Sequence, residues 1–227
     1  MNDYKKLITY YRQCFNLIDC FHFNSEIAYN VYSDYIIPKS SKIIPITHDG
    51  IKDHRVEKTF DNKILRIGFI GNLTPYKGLP KLLSALKKIK SSKWELSVWG
   101  CNIGKEKNLP VFYKGKFDSK TIINVYNSMD VLIVPSIWKE TFSLVTLEAI
   151  SYGVPVIVSN NVGAKDIVKL YNEKFVFNNI EELKSLLEEL IDNRELLKNF
   201  NKKILNLEWS HSLNKHAQDI IDLIYKD

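Results

Sequence analysis

ILRIGFIGNLTPYKGLPKLLSALKKI, residues 64–89, decides the architecture. Its first seven residues form an apolar run broken only by Arg66, ending at Gly71. Leu79, Leu82, Leu83, Leu86 and Ile89 then recur at helical spacing. A buried strand, a glycine turn and a helix follow one another. The alternation continues outward. WELSVWG (94–100) and VFYKG (111–115) read as strands. Asp118 or Ser119 caps a helix with Ile122, Ile123, Tyr126 and Met129 on its apolar side. VLIVP (131–135) is another buried strand, and TFSLVTLEAISYG (141–153) a helix closed by glycine. VPVIVS (154–159) and KFVF (174–177) are further strands. IEELKSLLEELIDN is an amphipathic helix, and residues 210–225 form a last one.

Near-continuous apolar strands alternating with helices predict a parallel sheet covered on both faces. The fold class is α/β, a doubly wound, Rossmann-like sheet. In such sheets ligands bind beyond the carboxyl ends of the strands. The special residues cluster there: Gly71 and Asn72, Gly100, Gly115, and Pro135 with Ser136. Residues 1–50 carry a short α/β pattern of their own, and residues 51–63 have the polarity of a linker before the domain at 64–227.

The chain has 227 residues, is 45% hydrophobic and carries a formal charge of +6. That composition excludes a disordered tail and a disulfide-stapled miniprotein. No run reaches the ~20 apolar residues of a membrane helix, and the opening MNDYKKLITYYRQ does not read as a signal peptide. Cys14, Cys20 and Cys101 have neither zinc spacing nor the count of a disulfide framework, which predicts reduced thiols in a cytoplasmic protein. The basic excess suits phosphates or an anionic membrane face. Lys81, Lys87, Lys88, Lys90 and Lys93 equally fit a solvated helix face. No recognition helix or stacking platform supports nucleic acid as a partner.

Two stretches carry chemistry. GNLTPYKG (71–78) follows a strand and opens a helix. Glycine allows a sharp turn and close backbone approach, helix-start amides favour an anion, and Lys77 adds a full charge. A tight turn with a surface lysine explains the same residues. Within KETFSLVTLEA, Glu140 and Glu148 lie eight apart. Glu140 precedes the helix and Glu148 falls in its second turn, with the amides from Phe142 to Val145 between them. Carboxylates accept from vicinal hydroxyls and helix-start amides bind phosphate, so a sugar diphosphate suits both. A solvated helix face explains the two glutamates alone.

Together GFIGNLTPYKG, LSVWG, VFYKGKF, VLIVPSIWKETFSLVTLEAISYGVPVIVS and the late LEWS resemble the donor half of retaining glycosyltransferases of family 4, which have the two-domain GT-B fold. Residues 1–50 are similar to the last segment of that family's acceptor-side domain, and the terminal helix to the one that crosses back to it. The resemblance implies a nucleotide-sugar donor, UDP-sugar favoured, with no cofactor and no metal. Lys77 would contact the donor diphosphate, approached by the Gly71 backbone. Glu140 would touch the transferred sugar, and Glu148 would hold the ribose hydroxyls. The stretch Thr141, Phe142, Ser143, Leu144 and Val145 would hold sugar or phosphate oxygens, and Lys116 and Phe117 would border the base. Lys77 and Glu140 are the catalytic expectation. Many members place arginine where this chain has Asn72, so one charge-assisted contact worth ~1.5–3 kcal/mol is missing unless another cation replaces it.

Most of an acceptor domain is absent from these residues. Two readings follow: a glycosyltransferase donor domain serving cell-envelope polysaccharide or lipopolysaccharide synthesis at the inner membrane face, or a non-catalytic nucleotide-sugar-binding module, either truncated or paired with a separate acceptor-binding subunit. His22, His48, His54, His211 and His216 fit no metal spacing, and His211 and His216 read as ordinary surface or packing residues.

Overall fold

A computed structural model describes residues 2–101, 104 and 106–226. The strand order explains where the site forms. Six parallel strands run β5(Val111–Gly115), β4(Trp94–Trp99), β3(Leu65–Ile70), β6(Val131–Val134), β7(Val156–Ser159) and β8(Val176–Phe177) across the sheet. Counted from β3, this is the order 3-2-1-4-5-6 of the doubly wound fold. The chain grows outward from β3 to one edge, then returns beside β3 to build the other half. Between β3 and β6 the two following connections diverge, leaving a crevice at the carboxyl ends.

The apolar runs account for the core. Every residue of β6 and β7 is buried, as are Leu65, Ile67 and Phe69 of β3. α3 (Leu79–Lys87) buries Leu79, Leu82, Leu83 and Leu86 and packs on α7 (Ile180–Asp192). Asn179 caps α7, accepting from the amides of Glu181 and Glu182 at 3.0 Å each. α4 (Ile122–Asn127) and α5 (Leu144–Ser151) complete the units around β6. Two helices, α6 (Lys165–Tyr171) and α8 (Glu195–Asn206), have no counterpart in the sequence reading. In α8 the buried face is Leu197, Phe200, Asn201 and Ile204, with an asparagine in the apolar stripe.

The N-terminal residues form α1 (Asn2–Phe15), β1 (Phe21–Phe23), α2 (Glu26–Ser33) and β2 (Ser41–Ile43). β1 and β2 pair in parallel as a separate two-stranded sheet. Phe23, Ile27, Ala28, Ile36 and Ile44 are buried, but Tyr4, Leu7, Tyr10, Tyr11, Leu17 and Ile37 are exposed. α9 (Leu213–Ile220) lies beside this unit: the rings of His22 and His216 stand 5.8 Å apart, and Thr47 Oγ1 donates to His211 O at 2.8 Å.

Residues 51–63 lack regular structure, as their polarity predicts, yet they are docked as a strap rather than free. Ile51 and Phe60 are buried at its two ends. Arg55 reaches the carbonyls of Ile204 and Leu207 and pairs with Asp53 at 2.7 Å. Asn201, buried in α8, donates to Val56 O at 3.1 Å and Gly153 O at 2.7 Å and accepts from Lys58 N at 3.2 Å. The buried amide satisfies three backbone groups at once. No helix of the described residues is long and apolar enough to cross a membrane.

Candidate active site

The loop after β3 does not open α3 directly. Pro75–Lys77 form a single 3₁₀ turn, and α3 begins only at Leu79. Thr74 does not cap it; instead Asn72 Oδ1 accepts from Thr74 Oγ1 at 2.6 Å and Thr74 N at 3.3 Å. Asn72 therefore closes its own turn and is exposed. Gly78 joins the turn to the helix at φ 78°, a left-handed conformation suited to glycine. Gly71 has no positive φ, so the sharp turn expected of it belongs to Gly78.

The start of α5 is also displaced. The helix expected over 141–153 begins at Leu144, because Ser143 adopts φ 94° and ψ 85°. Thr141 and Phe142 remain in the approaching loop. The amides of Phe142, Ser143, Leu144 and Val145 make no backbone hydrogen bond among the described residues, as expected at a helix start. The loop is braced from behind. Glu140 N donates to Asn161 O at 2.9 Å, Gly163 N to Glu140 O at 2.9 Å, and Ala164 N to Phe142 O at 2.7 Å. Gly163 is required by proximity, since a Cβ there would stand 2.7 Å from the Thr141 carbonyl carbon. From the N-terminal unit, Ser25 caps α2 and donates to Thr141 O at 2.5 Å.

These loops meet at the crevice between β3 and β6. Lys77 Nζ lies 2.6 Å from Glu140 Oε1, and Ser136 Oγ donates to Glu140 Oε2 at 2.5 Å. A cleft of about 550 Å³ is lined by Ile46, Ile70, Gly71, Lys77 and residues 138–145. The structure thus unites Gly71, Lys77, Glu140, Thr141, Phe142, Ser143, Leu144 and Val145. Asn72, Lys116, Phe117 and Glu148 are not among the lining residues. Lys116 is exposed at the end of β5, and Phe117 stands edge-on to Trp99 with centroids 6.0 Å apart.

Glu148 sits one helical turn beyond Leu144 and Val145, on the same face of α5. Its Oε2 accepts from the Tyr126 hydroxyl at 2.7 Å, and its Oε1 lies 3.4 Å from His48 Nε2. Burial, followed by the charge of Glu148, raises the Tyr126 phenol well above its ordinary value, so it is a protonated donor at neutral pH. The sequence presents Tyr126 as an apolar-face residue and His48 as unaligned with any metal pattern. Neither shows a link to Glu148, 22 and 100 residues away. Among the described residues no group of three or more His, Cys, Asp or Glu is arranged to hold a metal ion.

The sheet order, the crevice at its switch point and the convergent loops have the form of the Rossmann-like C-terminal half of a GT-B fold. The profile of the family Glycosyl transferases group 1 matches residues 50–206, and the chain belongs to that family. Among curated relatives, an uncharacterised 41.2 kDa protein in a cps region of Klebsiella pneumoniae is 32% identical over 162 residues, covering 66% of this chain and 45% of that protein. An uncharacterised glycosyltransferase of Methanocaldococcus jannaschii is 27% identical, covering 79% of this chain and 53% of its own length. The chain thus spans about half the length of these relatives. Among solved structures, Anabaena HepE in complex with UDP and glucose superposes with a TM-score of 0.75 at 16% identity, covering 94% of this chain and 64% of that one. A Staphylococcus aureus TarM complex containing UDP gives 0.75 at 18% identity, covering all of this chain and 47% of that one. At these identities the superpositions establish the fold.

Proposed function

We propose that this chain is the donor-binding half of a retaining glycosyltransferase of family 4, taking a nucleotide-sugar, with UDP-sugar favoured. The observation that carries the reading is the convergence of Lys77, Glu140 and the start of α5 on one cleft at the switch point of the sheet. Lys77 and the amides of Ser143 and Leu144 receive the diphosphate. Glu140, held by Ser136 and Lys77, faces the transferred sugar. Glu148 takes the ribose hydroxyls, and Lys116 and Phe117 border the base. The cation missing at Asn72 has a replacement: Lys139 lines the cleft and makes no ion pair among the described residues.

In the transfer, the bond from the sugar's anomeric carbon to the diphosphate oxygen breaks. An acceptor hydroxyl forms the new bond on the same face, and its proton passes to the departing phosphate. Lys77 and the helix-start amides stabilise the charge that develops on the diphosphate. The proposed setting is cell-envelope polysaccharide or lipopolysaccharide synthesis on the cytoplasmic side of the membrane. The cps region named for the Klebsiella relative supports it.

Residues 1–50 are read as the end of an acceptor-side domain, 51–63 as its connection and 64–227 as the donor domain. The exposed Tyr4, Leu7, Tyr10, Tyr11, Leu17 and Ile37 support a second form of the reading, in which the chain binds donor but transfers only with an acceptor half. Calorimetric titration with UDP, GDP and ADP, repeated on Glu148→Ala, tests the site. Saturable binding of one nucleotide, weakened at least tenfold in the variant, is expected. A folded chain that binds none of them refutes the proposal.

A further inference from the structure

Building on the role proposed for Glu148, we infer that Tyr126 is the positioning residue that makes Glu148 a ribose acceptor. Glu148 is the one acidic residue on α5, a helix whose Thr146, Leu147, Ala149 and Ile150 are buried. An unbraced carboxylate there would sample several rotamers, and a ligand would have to order one of them on binding. Tyr126 removes that freedom. Its side chain is fully buried, and its ring stacks on Tyr152 with centroids 5.1 Å apart and planes at 14°. Tyr152 in turn stacks on His54 at 4.9 Å. The phenol is therefore fixed by packing before any ligand arrives.

Among the described residues the hydroxyl has one partner, Glu148 Oε2 at 2.7 Å. Without it a buried donor would be unsatisfied, so phenol and carboxylate hold each other. This leaves Oε1 as the free acceptor, and its present neighbour, His48 Nε2 at 3.4 Å, is an exposed side chain that a ligand can displace. A carboxylate anchored through one oxygen and presenting the other suits a vicinal diol. Val145, three residues earlier, already lines the cleft, so that oxygen lies next to where a nucleoside diphosphate would extend.

The test separates positioning from general packing. Calorimetry compares UDP with 2′,3′-dideoxy-UDP, or the matching pair for whichever nucleotide the earlier titration selects. The native chain should prefer the ribose form at least tenfold. Tyr126→Phe keeps the stacked ring and should cut that preference below threefold while leaving dideoxy affinity within twofold. Equal weakening of both ligands would mean the ring serves only the fold, and an unchanged preference would mean the hydroxyl is idle; either overturns the inference. If Tyr126→Phe does not fold, a ring-fluorinated tyrosine at 126 keeps the packing while altering the donor. It should change the same preference, and no change would overturn the inference too. Glu148→Ala marks the boundary with the parent reading. If that variant retains the preference, the role of Glu148 fails; if it loses the preference and Tyr126→Phe does not, only the role of Tyr126 fails.

Discussion

Replacing Gly78 with alanine should damage both the fold and the cleft, whereas the same change at Gly71 should damage only binding. At Gly78 the backbone has φ 78°, and an added methyl would stand 2.6 Å from the Pro135 carbonyl carbon and closer to its oxygen. Real Cβ atoms essentially never come within 3.0 Å of such neighbours. The left-handed conformation costs alanine roughly 1–2 kcal/mol, and forcing the contact apart roughly 1–3 kcal/mol more. A loss of roughly 2–5 kcal/mol follows. Pro135 directly follows β6 and cannot yield cheaply, so the loop carrying Lys77 retreats. That stretches the 2.6 Å pair with Glu140 and the 2.9 Å bond from Ile137 N to Tyr76 O. A displacement of about 1 Å at a ligand-holding group costs on the order of 10²-fold. At Gly71 the methyl would meet the Phe69 ring edge at 3.4 Å and Lys77 Cγ at 3.7 Å, contacts that flexible side chains absorb, with no positive φ. Gly71→Ala should therefore unfold within about 1 kcal/mol of the parent, yet bind UDP at least tenfold more weakly because backbone approach to the diphosphate is blocked. Urea denaturation and calorimetry read the two effects. If Gly78→Ala matches the parent in both, the contact with Pro135 does not set the loop. If Gly71→Ala binds UDP normally, no ligand approaches that glycine.

Three further outcomes are expected. Ser143→Val, which puts a β-branched residue at φ 94° and removes the partner of Thr146 Oγ1, should lower stability by roughly 2–4 kcal/mol. Ser143→Gly should stay within about 1 kcal/mol, strain relief being offset by chain entropy and the lost hydroxyl; denaturant curves distinguish the two. Asn201→Leu strands three backbone groups of the strap and its neighbour, so trypsin should cut after Arg55 and Lys58 several-fold faster than in the parent; equal rates would show that the amide does not hold the strap. His211 is pushed from 6.5 to about 4 by burial and by the charge of Arg55. The unfolded chain then binds more protons between those values, so stability should fall as pH drops from about 6.5 toward 4, by up to roughly 3 kcal/mol. His211→Phe should flatten melting temperature against pH in that window, and an unchanged slope would assign it to other groups.

The sequence exposes what local pattern controls. β6 is apolar throughout and β7 is apolar up to Ser159, so both read as strands; the punctuation at Gly71, Gly100, Gly115 and Pro135 marks the carboxyl ends, where such sheets bind ligands. Lys77 and Glu140 stand out because a charge beside such a strand end is conspicuous. Features made by tertiary packing are hidden. The positive φ of Ser143 has no signature in propensity, so the expected start of α5 falls three residues too early. Asn201 interrupts the stripe of α8 because it bonds the strap, which conceals the helix. Ile51 and Phe60, nine positions apart, form no period that reveals a docked segment. Tyr126 reads as core, which it is, but its hydroxyl partner lies in another helix.

The docked strap also sets a tether length. The N-terminal unit is held as far as Ile44, whose amide bonds Phe23 O; the larger domain, on whose core Ile46 already packs, takes full hold at buried Ile51. Seven residue steps separate them, spanning at most about 25 Å when fully extended. His48 falls inside that interval. The joint between the two units therefore passes over the carboxylate of Glu148, and the 3.4 Å approach of His48 makes the connection itself part of the surroundings of the candidate site.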